Sequence, residues 1–300
     1  MQNYFSNGKL LLTAEYAVMD GATALALPTQ YGQSLEVSSI ADYKLYWTSF
    51  DSDKSIWFDT TFEFKGECIV AEKDCEITKR LIKIFKAAQQ LNPHFLNGKQ
   101  GYAVRTHLQF PRDWGLGTSS TLINNIANWA KIDPYRLLSL TFGGSGYDIA
   151  CARHNMPITY KLGNKPEVRT LTFNPPFRAQ LYFVYLNQKQ NSREAISKYR
   201  SRSKMNTETI MALDKITAQI IDSSTLTEFM QLIDIHECII GKLIGQTPIK
   251  ARLFNDFEGS IKSLGAWGGD FVLAACHSNP IDYFKKKGYH TILPYDKMIL

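Results

Sequence analysis

The run Phe110-Pro111-Arg112-Asp113-Trp114-Gly115-Leu116-Gly117-Thr118-Ser119-Ser120 joins two segments of different period. Before it, Tyr102–Phe110 alternates as a strand does. After it, the apolar spacing is helical as far as Ala130. Pro111 ends the strand, and Gly115 and Gly117 permit positive φ and close approach of backbone to a ligand. Thr118, Ser119 and Ser120 set three hydroxyls where the helix begins. Free N–H groups and the positive end of a helix dipole attract an anion at such a point. An ordinary turn with a serine cap has the same outline. Two glycines and three hydroxyls together favour a phosphate.

Working outward, the chain has 300 residues, room for one large domain or two ordinary ones. On the N-terminal side, Lys9–Thr13, Ala24–Leu27, Ser34–Ser38, Lys44–Ser49, Ile56–Asp59 and Thr61–Lys65 read as strands, and Glu76–Leu91 as a helix stopped by Asn92-Pro93. On the C-terminal side, Ile158–Leu162 and Val168–Phe173 form a hairpin pattern. Asn174-Pro175-Pro176 marks a boundary between residues 1–175 and 176–300. Beyond it, Leu181–Leu186 reads as a strand, and Thr207–Ile221, Leu226–Leu243 and Ala251–Ser263 as helices. Phe271–Ala275 is a strand, Asp282–Lys287 a short helix and Tyr289–Leu293 a last strand. The fold class is therefore α+β: strand-rich first, then helix-rich and bracketed by strands.

Hydrophobic residues make up 44% and charged residues 21%, which excludes a mainly disordered chain. No apolar run nears the roughly 18 residues of a membrane span. Met1–Glu15 lacks the basic start and apolar core of a cleaved signal peptide. Five scattered cysteines, none spaced C-x-x-C, suit reduced thiols in a cytoplasm and no structural zinc. The net charge of +6 is spread along the chain and suits an anionic small molecule as well as RNA. No P-loop, protein-kinase catalytic loop or G-x-S-x-G elbow occurs.

Three further stretches have chemistry in them. Gly143-Gly144-Ser145-Gly146-Tyr147-Asp148 is a small-residue turn presenting one carboxylate, which orients a hydroxyl or caps the next helix. Lys9, in Ser6-Asn7-Gly8-Lys9, enters an apolar strand that Glu15-Tyr16 follow. It either offsets charge in a pocket or is a solvated strand end. Gly265-Ala266-Trp267-Gly268-Gly269-Asp270 is a tight connection or a second close approach to a ligand.

In this order the four stretches resemble the GHMP kinases, the family of galactokinase, homoserine kinase, mevalonate kinase and phosphomevalonate kinase. The likeness runs from Gly8-Lys9 to Gly269-Asp270. It implies a two-domain GHMP kinase-like fold, with ATP and magnesium as cofactors. By that resemblance Gly115, Leu116, Gly117, Thr118, Ser119 and Ser120 wrap the ATP phosphates, with the Ser119 or Thr118 hydroxyl a ligand of ATP-bound magnesium. Asp148 contacts the acceptor hydroxyl, and Lys9 lies near the reacting phosphate. Glu15, Tyr16, Ser145, Gly146, Gly265, Ala266, Trp267, Gly268 and Gly269 belong to the acceptor side. Glu15-Tyr16 and Gly269-Asp270 are closer to phosphomevalonate kinase than to mevalonate kinase. The run Gly146-Tyr147-Asp148-Ile149-Ala150 is similar to a subgroup named for those letters.

The chain departs from the family pattern at Thr118, Ser120 and Trp267, where Ser, Ala and Gly are usual. No glutamate stands between Ser120 and Asp148 to help hold magnesium. Asp133-Pro134 there reads as a helix start. Lys189-Gln190-Asn191-Ser192-Arg193 supplies charge for a phosphorylated acceptor, with Ser192 and Arg193 as contacts. His236 and the run Lys198–Lys204 read as structural and solvated. The expected partners are ATP and a small-molecule acceptor from isoprenoid-precursor synthesis, with neither nucleic acid nor membrane. Two other classes stand beside this one: a ligand-binding pseudokinase, and an RNA-binding protein, against which the lack of a dense basic, aromatic stripe counts.

Overall fold

A computed structural model describes residues 1–65, 68–97, 100–188, 196, 197, 199–201, 206–267 and 269–300. The fold is α+β, with two sheets. The strands are β1 Gln2–Leu11, β2 Ala24–Ile40, β3 Lys44–Phe50, β4 Ile56–Lys65, β5 Cys68–Ala71, β6 Gly101–Leu108, β7 Ile158–Lys161, β8 Glu167–Thr170, β9 Leu181–Tyr185, β10 Ser260–Ser263, β11 Phe271–Ala275 and β12 Ile292–Pro294. The helices needed below are α1 Glu76–Leu91, α2 Thr118–Ala130, α3 Pro134–Thr141, α4 Tyr147–Arg153, α5 Thr207–Asp222, α6 Leu226–Ile244, α7 Ile249–Leu253 and α8 Ile281–Lys286. Contacts divide the chain into two compact units that interleave along the sequence.

The first unit comprises residues 1–8, 31–112 and 117–153. Its strands lie in the order β5-β4-β3-β6-β2, antiparallel except for the β3–β6 pair. Helix α1 is the crossover that makes that parallel pair possible, because a hairpin cannot join parallel neighbours. Alternation on β3 sends Leu45 and Trp47 to one face, where Phe62 of β4 and Val104 of β6 join them. Leu81, Ile84, Phe85 and Ala88 form the apolar stripe of α1 and close over that face. Phe85 meets Phe62 edge-on at 5.3 Å and lies 5.7 Å from Trp47, ring centre to ring centre. Ile123, Ile126 and Ala127 of α2 and Leu137 of α3 complete the core. Asp133 caps α3 by accepting the Tyr135 N–H at 2.8 Å, with Pro134 at the first helical position, as the sequence led us to expect.

The second unit comprises residues 9–30, 113–116 and 154–300. Ala24–Ala26 pair with β7, and β7 pairs with β8. The other sheet runs β10-β11-β9-β12, antiparallel throughout. Every residue of β10 and β11 is buried. Val184, Ile261, Val272 and Ala274 pack there with Phe254, Phe257 and Phe284. No helix among the described residues is long and apolar enough to cross a membrane.

The secondary structure differs from expectation at several elements. The pairs of short strands expected over residues 24–38 and 56–65 are single strands, β2 and β4. Strand β5 was not expected. The helix expected at Ala251–Ser263 ends as α7 at Leu253, and Ser260–Ser263 is β10. Gly259 makes that switch. Its φ is +156°, and a Cβ on it would lie 2.4 Å from the Ala275 carbonyl oxygen, so only glycine lets β10 approach β11 here.

Truncating Phe85→Ala should cost about 3–5 kcal/mol of folding stability, since it empties the centre of the first core. Urea unfolding of the variant measures this, and a loss under about 1 kcal/mol would contradict the packing described.

Candidate active site

Lys9 lies near the end of β1 and is tied to the glycine loop twice. Its backbone N–H donates to the Leu116 carbonyl at 3.0 Å, and its ammonium donates to the Gly115 carbonyl at 3.0 Å. Gly115 has φ +67°, and a Cβ on it would lie 2.4 to 2.6 Å from the Asp270 carboxylate atoms. The loop therefore needs glycine for both conformation and space. Lys9, Gly115 and Asp270 come together in the second unit, although they are far apart in sequence.

Helix α2 starts just beyond. Gly117, at φ +93°, is its N-cap, and no side chain caps it. The hydroxyls that follow divide by direction. Ser120 donates back to the Gly117 carbonyl at 2.8 Å, and Thr121 donates to Gln33 Oε1 at 2.7 Å. Thr118 is half-buried, and Ser119 is exposed. The first turn thus turns two hydroxyls inward and leaves its N–H groups without a side-chain cap, which is the setting in which a helix start binds an anion.

A buried polar network holds α2 from below. Ser6 donates to Asn125 Oδ1 at 2.7 Å, Asn124 Nδ2 donates to Ser6 Oγ at 2.9 Å, and Asn125 Nδ2 donates to the Gln33 carbonyl at 2.8 Å. Such a network fixes rotation and register of the helix more narrowly than apolar packing would.

Asp148 lies in the first turn of α4, half-buried, in the first unit. Gly143, Gly144 and Gly146, at φ +65°, +113° and +86°, make the turn before it. Ser145 is half-buried and Gly146 buried. Tyr147 opens the helix, so Asp148 stands one residue inside it rather than at the cap.

Glu15 and Tyr16 lie in a strained turn, with φ +60° at Ala14 and +63° at Tyr16. Glu15 is 0% exposed and is bonded to Lys262 of β10, also 0% exposed. The Lys262 ammonium also donates to the Ser263 carbonyl at 3.0 Å and lies 3.7 Å from Glu237 Oε2. Glu237 on α6 accepts from the Ser263 N–H and hydroxyl. His236 Nε2 accepts the Ala14 N–H at 2.9 Å and lies 3.7 Å from Glu15 Oε2.

Burial pushes Glu15 up to about 7, against the pull of Lys262. Burial also raises Glu237, and it holds His236 well below its ordinary range, so the imidazole is neutral. Tyr16 donates to the Ala266 carbonyl at 2.8 Å, and its ring lies 5.3 Å from that of Tyr199.

The third loop closes the set. Gly265 has φ +63°, and Ala266 and Gly269 are buried. Trp267 is 2% exposed at φ +51°, so its indole packs inside; its Nε1 has no partner among the described residues. Ser192, Arg193 and Gly268 lie outside the described residues. The sequence singled out neither Lys262 nor Glu237. The only signal was a lysine flanked by Ile261 and Ser263-Leu264 in a stretch that read as a helix.

The sequence matches no family model and no curated protein. Solved structures do match. The mevalonate kinase of Methanococcus jannaschii superposes with a TM-score of 0.67 at 16% identity, covering 95% of this chain and 94% of that one. Streptococcus pneumoniae phosphomevalonate kinase, in complex with phosphomevalonate and AMPPNP, gives 0.68 at 14% identity, covering 96% and 95%. The D-glycero-D-manno-heptose 1-phosphate kinase of Bacteriodes thetaiotaomicron gives 0.65 at 10% identity, covering 97% and 94%. The chain has the GHMP kinase fold. At these identities the GHMP likeness is one of backbone architecture, and the buried cluster around Lys262 is described from this chain's own side chains.

Replacing Lys262→Met leaves two buried carboxylates without their cation. The expected loss is about 3–5 kcal/mol, the usual cost of breaking a buried ion pair from one side. Urea unfolding checks it, and a change within about 0.5 kcal/mol would mean that Lys262 is not buried as described.

Proposed function

We propose that the chain is an ATP-dependent small-molecule kinase that transfers the γ-phosphoryl group to a hydroxyl of its acceptor. The observation that carries this reading is the uncapped start of α2 at Gly117, reached by a glycine loop that Lys9 grips at Gly115 and Leu116. Phosphoryl transfer asks a protein mainly to position groups and to offset charge. Gly115 and Gly117 bring backbone close to the ATP phosphates, and the N–H groups of the first α2 turn receive their oxygens. The Lys9 ammonium offsets the charge that grows as the phosphoryl group moves. Asp148 accepts the hydrogen bond of the acceptor hydroxyl and orients it, or takes its proton.

Magnesium, carried on the nucleotide, would neutralise phosphate charge. The exposed Ser119 hydroxyl in the first α2 turn fits it as a ligand, whereas the Ser120 hydroxyl is turned onto Gly117. The acceptor we propose is phosphomevalonate or mevalonate, in the cytoplasm. In support, solved kinases of both substrates share the fold, and the sequence around Glu15-Tyr16 and Gly269-Asp270 resembles the phosphomevalonate enzymes. A heptose 1-phosphate kinase shares the fold too. A coupled ADP-release assay over mevalonate, phosphomevalonate, homoserine, galactose and a heptose 1-phosphate therefore tests the proposal. Turnover with an isoprenoid precursor supports it, turnover with a sugar moves the acceptor, and no turnover with any of them favours a ligand-binding pseudokinase.

Two variants probe the assigned roles. Gly117→Val puts a branched side chain where the backbone must approach phosphate, and should weaken Mg–AMPPNP binding in calorimetry while the protein stays folded. Asp148→Asn should lower turnover by roughly 10²–10⁴ with nucleotide affinity nearly unchanged, because the amide keeps the shape and loses the base. A folded Asp148→Asn protein with wild-type turnover would place the catalytic carboxylate elsewhere.

A further inference from the structure

The cluster of Glu15, His236, Glu237 and Lys262 is buried, charged and unused by the mechanism above. Its geometry joins three segments of the second unit. Glu15 sits in the turn that follows β1, the strand of Lys9. Lys262 lies on β10, three residues before Gly265. Glu237 and His236 lie on α6 and hold the two segments from behind, His236 through the Ala14 N–H and Glu237 through Ser263. Tyr16 then reaches across to the Ala266 carbonyl. The loop so held continues to Asp270, whose carboxylate backs Gly115.

We infer that Lys262 and Glu15 are positioning residues for the proposed phosphate site: their buried pair fixes the Ala14–Tyr16 turn, and with it the Gly265–Trp267 loop that leads to Asp270 behind Gly115. The inference rests on the kinase reading for what is positioned, and on this chain's side chains for how.

Two features make a surface or merely cohesive role an insufficient account. First, the turn is strained: Ala14 and Tyr16 are both non-glycine residues at positive φ, and such backbone persists only where its surroundings hold it. Second, a buried ion pair is weak evidence for stability, because desolvation offsets most of its attraction. An apolar pair would pack this site as well. What a charge pair adds is a narrowly defined geometry, and here the defined geometry is that of a loop backing the phosphate turn.

Among the described residues, the charged and titratable groups that face Glu15 are Lys262 from β10 and His236 and Glu237 from α6. His236 is neutral, so Lys262 is the cation that an ionised Glu15 answers. The acid is raised to about 7, so the Glu15 charge is present above that pH and progressively lost below it.

The test uses the full chain, Mg–AMPPNP as probe, and two mild variants. Glu15→Gln keeps a carbonyl for Lys262 and removes the charge. Tyr16→Phe removes only the hydroxyl that grips Ala266. Calorimetry is run at about pH 6 and about pH 8, on either side of the Glu15 transition. Both variants should weaken Mg–AMPPNP at about pH 8 by roughly 2- to 30-fold, the range of couplings through packed networks. The Glu15→Gln deficit should shrink toward none at about pH 6, where wild-type Glu15 is itself neutral, while the Tyr16→Phe deficit persists. Nucleotide titration cancels, since wild type and variants share it. Amide exchange of residues 264–267, read without nucleotide, should quicken in both variants.

Folded variants that bind as tightly as wild type at both pH values, whatever their melting temperatures, would overturn this inference alone. A Glu15→Gln deficit that does not change with pH would overturn the part given to its charge. A wild-type protein that binds no Mg–AMPPNP would overturn the kinase reading, and with it what the pair is said to position. Quickened exchange at 264–267 in the variants would then still show the pair holding the loop, so the two failures are distinguishable.

Discussion

The buried ammonium of Lys262 ties three distant segments of the second unit together. A cation with no exposed surface must find its counter-charges within the protein, and it finds Glu15 and Glu237. That need links a turn near the N-terminus, a long helix and a strand near the C-terminus. Residues separated by more than two hundred positions thereby acquire one geometry. The backbone takes unusual conformations at both ends of this link, at Ala14 and Tyr16 on one side and at Trp267 and Asp270 on the other. Neither side would keep such torsions as an isolated peptide.

The glycine loop depends on a different constraint, the lack of room. Gly115 is pressed by Asp270, and its carbonyl and that of Leu116 are taken by Lys9. With those carbonyls occupied and the Ser120 and Thr121 hydroxyls turned inward, the start of α2 presents N–H groups rather than oxygens. The Ser6, Asn124 and Asn125 network holds the helix in that setting. Within the second unit, the Lys9 ammonium and the Asp270 carboxylate hold the Gly115 turn from two sides.

Much of this could be read in the sequence. The run of residues 110–120 showed a strand, a glycine turn and a helix in correct order, and α1, α2 and the Asp133-Pro134 start of α3 lie where periodicity and caps put them. Lys9 was singled out, but nothing local told that it grips Gly115, since the two are 106 positions apart. The stretch 251–263 was misread for a physical reason. Glu258 and Lys262 stand four apart, the spacing of a surface helix pair, and β10 is buried on both faces, so it shows no alternation. The error hid Lys262, and with it the buried pair that Lys262 makes with Glu15.

Nucleotide phosphates seated on the N–H groups at the start of α2, as proposed, would take those groups out of contact with water. Backbone amide exchange over residues 117–120, with and without saturating Mg–AMPPNP, measures this. Slowed exchange is expected there, because those N–H groups pass from water to phosphate oxygens. Unchanged exchange at 117–120 in a protein shown by calorimetry to be saturated with nucleotide would rule that placement out.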